Sequence, residues 1–252
     1  MLLCEKLNFI FEFRNKIKDI HPLLNKCFPV VVSSVDKVDI YDVTPEEKYT
    51  LVKTDKNMFG HIPHIRASFP FESYGNRPVC IITEDVFDEP NGYAVIFHEF
   101  IHCQQYELCE TRLKKRLSVY NQSMLEKNYM WELNYDFPYS SIEFMSYCNT
   151  DASENNLLKT LAEKRRLIKN NYGIANYEYM TWQEWKEGFA RYIETMIIEK
   201  TGNKVEQSDS LCMSRVCLYK TGARFIGALK TKYHNCDENI ESLFEMIYEN
   251  NN

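Results

Sequence analysis

His98-Glu99-Phe100-Ile101-His102 is the stretch on which the reading of this chain turns. Histidines four residues apart project from one face of a helix, about one turn from each other. Two imidazoles so placed can reach a single Zn²⁺ and still leave positions for water and further ligands. Glu99 sits about 100° round the helix from His98. From there its carboxylate can take a proton from a water activated by the metal without becoming a ligand. The plainer alternative is a helix with two buried histidines and an incidental glutamate.

The pattern around the motif predicts a helix over residues 91–109, entered through the turn Asp88-Glu89-Pro90-Asn91-Gly92. Tyr93, Ile96, Phe97, Phe100, Ile101 and Leu108 cover a broad arc of it and leave the histidine stripe for a cleft. Just upstream, Pro78–Thr83 reads as a strand, and an extended substrate is expected to pair with it. Residues 56–77, punctuated by Pro63, Pro70, Gly60 and Gly75, read as a long irregular connection with room for short strands. Lys37–Val43 alternates as a strand with one wet face, and Pro29–Val32 is a short β-branched strand. Thr44-Pro45-Glu46-Glu47 carries the signals of a helix start, so a short helix is expected after it. Residues 3–26 have the apolar stripe of a helix (Leu7, Ile10, Phe11, Ile17, Leu24), with Pro22 able to split it.

Downstream the pattern is helical: residues 110–129, then 151–170 after an interruption at Asp136–Tyr139. A helix opening at the capping box Thr181-Trp182-Gln183-Glu184 should run to Lys200 and stop at Gly202. Two closing helices over 210–230 and 237–249 follow, with Gly222 and Gly227 suited to close packing. The fold class expected is α+β and predominantly helical. It would be a single domain over 1–252, with an α/β lobe to about residue 109 and a helical lobe from about 110.

A zinc held by two histidines needs a further protein ligand. The metzincin continuation demands glycine at 105 and histidine at 108; the chain has Gln105 and Leu108 there, which excludes that class. A glutamate from a separate helix is the remaining common solution, and Glu187 in Trp185-Lys186-Glu187-Gly188-Phe189-Ala190-Arg191-Tyr192 is the best candidate. Gly188 and Ala190 are small enough to let this helix approach another. The competing reading makes Glu187 a surface glutamate and Gly188 a packing residue.

His98–His102 followed by Glu187–Tyr192 resembles the gluzincin pattern, and especially its peptidase-MA-like branch with a Glu-Gly-x-Ala-x-Tyr segment. That resemblance implies a zincin-like fold, with His98, His102 and Glu187 as metal ligands and Glu99 as general base. It covers the two helices and the strand leading into the first. The better-known pattern has an aspartate four residues after the ligand glutamate, bracing a histidine. Arg191 stands there, so the brace must come from elsewhere, with Glu184 and Glu194 as candidates. Glu194 lies about 10 Å along the axis from Glu187, too far for both to touch one ion.

Other signals are weaker. His234 falls in a turn and reads as a surface histidine, Tyr192 as core, and His61 with His64 as a chance pair. Lys220-Thr221-Gly222 lacks the partner motif that would give it meaning.

Nine cysteines without a C-x-x-C pair, Cys103, Cys212 and Cys217 among them, read as reduced structural thiols of a cytoplasmic protein. The N-terminal segment meets charge too early for a signal peptide. A net charge of −6 gives no support to a nucleic-acid or acidic-membrane partner. The run Arg112–Arg116 reads as a solvated helix face. Two functions follow as expectations: a zinc metallopeptidase acting on peptide or protein substrates, or a non-catalytic zincin-like module that binds them. The retained Glu99 favours the enzyme.

Overall fold

Alternating residues such as Val38 and Ile40, both buried, set the strands of one mixed sheet. A computed structural model describes residues 2–57, 60, 62–151, 156–204 and 214–249. By its internal contacts the chain divides into two compact units, Met1–Glu107 with Ile193–Glu206, and Leu108–Tyr192 with Gln207–Asn252. The described residues are mainly helical, with this one five-stranded sheet, so the fold is α+β. None of their helices is long and apolar enough to cross a membrane.

The first unit holds α1 (Leu3–Ile17), β1 (Val30–Ser33), β2 (Lys37–Val43), β3 (Tyr49–Lys56), β4 (Arg66–Phe71), β5 (Arg77–Ile82) and α2 (Gly92–Gln105). Pro22 opens a separate 3-10 turn, Pro22–Asn25, so the first helical run ends at Ile17. The strand order is β3-β2-β1-β5-β4, with β1 and β5 parallel and the other pairs antiparallel. Val31, Val38, Ile40, Phe71, Val79 and Ile81 form one core cluster on the sheet. Alternation turns Cys80 the other way, beside Glu99 and Cys103 of α2, where burial pushes its thiol well above the usual range. Phe97 and Phe100 of α2 meet Phe13 of α1 and Phe28, which leads into β1.

Two expectations fail in this unit. No helix follows Thr44. The chain reverses there, with Thr44 N–H donating to Lys48 O at 2.8 Å and Glu47 in the left-handed region at φ 56°. A helix cap is worth about 1 kcal/mol, and the full-length β2–β3 ladder from Lys37↔Lys56 to Val43↔Tyr49 outweighs it. The second failure concerns the substrate strand: β5 lies between β1 and β4 with both edges hydrogen-bonded, so no peptide can add to it. Among the described residues β4 is an edge strand, as Pro70 within it suggests. The other edge, β3, is bulged where Ile40↔Lys53 steps to Tyr41↔Leu51.

The second unit holds α3 (Thr111–Lys114), α4 (Ser118–Leu125), α5 (Trp131–Asn134), α6 (Ile142–Cys148), most of α7 (Leu157–Lys200), α8 (Val216–Lys232) and α9 (Ile240–Glu249). The helix expected over 110–129 is two helices, because Leu117 is extended and Glu178 caps the second. Its carboxylate accepts from Ser118 Oγ at 2.6 Å and Val119 N at 2.9 Å. Arg112 and Arg116 reach Glu241 and Glu245 of α9.

Thr181 does not open a helix. α7 is already helical before it, and its break is at Gly173, with φ 83° and ψ 173°. Thr181 and Glu184 are fully buried and serve a polar network instead. Arg165 pairs with Glu184 and donates to Thr181 Oγ1 at 3.0 Å and Ile247 O at 2.9 Å. Tyr147 and Thr221 donate to the same Glu184 carboxylate. The stop expected at Gly202 holds, α7 ending at Lys200 with Gly202 at φ 76°.

Gly188 meets α8: a Cβ there would lie 2.7 Å from Gly222 Cα, and one on Gly222 would lie 2.5 Å from Glu184 O. The small residue at 188 therefore serves contact with α8, not an approach to the histidine helix. Gly222→Val should lower the unfolding free energy by about 2 kcal/mol or more, read as a lower urea midpoint; an unchanged midpoint would contradict this contact. Arg165→Met strands a buried carboxylate and should cost about 3–5 kcal/mol in the same measurement.

Candidate metal centre

α2 places His98, Glu99 and His102 in a largely buried setting, each 6–7% exposed. Twelve residues of this helix are buried, so apolar side chains enclose the histidine stripe on most sides. Leu108, expected on that apolar arc, is 47% exposed. It follows the end of α2 at Gln105, in the wide π turn Tyr106–Glu110, and the change of pitch carries it off the arc.

The two rings lie nearly edge to face, with their Nε2 atoms 3.1 Å apart. His98 Nδ1 is 2.8 Å from Glu194 Oε2, and His102 Nδ1 is 2.8 Å from Gln105 Oε1. With Glu194 ionised and the Gln105 amide turned oxygen-first, both partners only accept, and both Nδ1 atoms carry their protons. Both Nε2 lone pairs then face the same point, an arrangement that a proton or a cation between them must complete. Glu187, the third ligand expected, is half-buried on the part of α7 that belongs to the second unit.

Of the two candidates for the brace, Glu194 takes the role and Glu184 does not, being committed to Arg165. Glu194 lies two helical turns after Glu187 on α7 and engages Nδ1 of His98, while Nε2 faces His102. The brace on His102 is a residue that the motif reading used only to exclude metzincins. Gln105 is three residues after His102 on one helix, a spacing at which side chains meet, so the signal was present. Among the described residues Glu99 makes no hydrogen bond or ion pair, and its carboxylate is uncommitted.

A second group of ligand types, His64, Asp85 and Glu89, also comes together. Arg66 already sits in it, 2.8 Å from Asp85 and 2.7 Å from Glu89, so the charge of those carboxylates is answered without an ion. With His64 and Thr83 it holds the Asp85 carboxyl well below the usual range, against burial. His61 lies outside the described residues, as does Cys212. The described cysteines form no disulfide with one another, and Cys103 and Cys217 are buried. His234 is exposed in the turn after α8, Tyr192 is half-buried, and Thr221 belongs to the Glu184 network. Compared with models of protein families, with curated proteins and with solved structures, the chain matches none.

Proposed function

We propose that this protein is a zinc-dependent metallopeptidase of gluzincin type, with a zincin-like fold of the peptidase-MA-like branch. The observation that supports this most is the approach of the two imidazole Nε2 atoms to 3.1 Å, each ring held at its Nδ1 by a partner of its own. Two neutral nitrogen donors and one carboxylate, with room for water, are the donor set of a catalytic zinc site. His98, His102 and Glu187 would hold the ion. Bound there, Zn²⁺ supplies a Lewis acid that polarises a carbonyl and acidifies water.

The chain's own residues do the rest. Glu99, next to His98 and without a hydrogen bond or ion pair among the described residues, takes the proton of the attacking water and delivers it to the leaving amine. Glu194 and Gln105 keep the imidazoles turned so that their inner nitrogens stay unprotonated. Among the described residues β4, on which α2 packs, is an edge strand, and an extended peptide would run alongside it. The rival reading, a non-catalytic peptide-binding module, draws on the lack of a brace at Arg191 and on the absence of an assigned oxyanion donor; Glu194 answers the first of these.

Purified protein should bind one equivalent of zinc, and Glu187→Ala should lose it; metal-free wild type after zinc loading, by elemental analysis, would end this reading. Glu99→Gln should retain the zinc yet cut peptide cleavage by about 100-fold or more. Cleavage at the wild-type rate by that variant would remove Glu99 as the base.

A further inference from the structure

The braces on the two histidines are chemically unlike, and the difference decides where protons sit. Glu194 is a carboxylate, and either of its oxygens accepts from His98 Nδ1–H. Gln105 is an amide with two different ends. With its Oε1 toward the ring, as here at 2.8 Å, His102 keeps its proton on Nδ1 and offers a lone pair at Nε2. Turned by half a rotation, the same amide would donate to Nδ1. A neutral His102 would then carry its proton on Nε2, pointing at His98, and no ion could be held there.

We propose that Gln105 is a positioning residue that fixes His102 as the Nδ1–H tautomer and so makes its Nε2 a metal donor. This rests on the metal-binding reading above. The side chain is placed for the task. It is fully buried, at the last residue of α2 before the π turn, and three residues from the ring it serves. The neighbouring Gln104 is held apart from this site, donating to Leu23 O at 3.1 Å. Burial leaves the amide little freedom to rotate, so its orientation becomes a fixed property of the site.

The test uses the full chain, metal-free and zinc-loaded. Nitrogen-15 spectra of the histidine rings report the tautomer directly, and competition with a chromophoric chelator reports zinc affinity. In the metal-free wild type His102 should carry a proton on Nδ1, whether or not the two facing Nε2 atoms share another; a bare Nδ1 on His102 would overturn the inference without any variant. Gln105→Met keeps the shape and removes the acceptor. It should shift the ring toward the Nε2–H form and weaken zinc binding by about 10- to 100-fold. Gln105→Glu restores an acceptor and should keep the Nδ1–H tautomer and wild-type affinity. Equal tautomer and affinity in a folded Gln105→Met, or loss of zinc by a folded Gln105→Glu, would overturn it. If the wild type takes up no zinc, the metal reading fails, and the ring spectra still judge Gln105 by themselves.

Discussion

The hydrogen bond between His98 and Glu194 joins the middle of α2 to the last part of α7 in surroundings that admit little water. A carboxylate in such surroundings needs a positive counterpart, since desolvation otherwise drives it to neutrality. His98 can supply that charge by taking a second proton, or by passing the field of a cation on its far nitrogen through the ring. On the metal-binding proposal, carboxylate, imidazole and cation would form one electrostatic unit, and the ring beside it, His102, would likewise present a lone pair to the ion.

The second unit shows the same economy of buried polarity. Arg165 and Glu184 are entirely withdrawn from solvent, and neither stands alone. Tyr147 and Thr221 donate to the carboxylate, and Thr181 and the carbonyl of Ile247 accept from the guanidinium. The guanidinium also lies over the rings of Tyr177 and Phe225. A network of this kind contributes uniqueness of packing, because any slip of α7 against α8 or α9 would leave a charge unanswered. The glycine pair at 188 and 222 sets how closely those helices approach, and the network sets their register.

Much of this was legible in the residue pattern, and the failures have definite physical causes. β2 appears at its expected bounds and β5 within one residue of them, because their apolar spacing fits a strand and nothing nearby competes. The histidine pair and Glu99 could be placed on one helix for the same reason. The hairpin at 44–48 was misread because its cap signals are local, whereas the ladder that overrides them depends on a strand five residues further on. Thr181 misled in a similar way. A threonine followed by glutamate three residues later suits a helix start, but here both side chains bond a buried arginine from earlier in α7. The break between α3 and α4 depends on Glu178, some sixty residues away, and no local pattern carries that. Glu194 could be narrowed to one of two, since only the fold says which carboxylate is already engaged. Gln105 was in plain view at the right spacing, but its amide carries no charge to draw attention to it.

The bulge in β3 bears on how these molecules behave when crowded. An open strand edge is a template on which further chains can stack without limit. Here the edge exposes Leu51 and Val52, residues that would favour such stacking. The extra residue coils the strand away from flatness, and Lys56 puts an exposed ammonium group along it, while Lys53 is paired with Asp55. Two copies brought edge to edge would meet like charge on a warped rim, so assembly into fibres is discouraged at its first step.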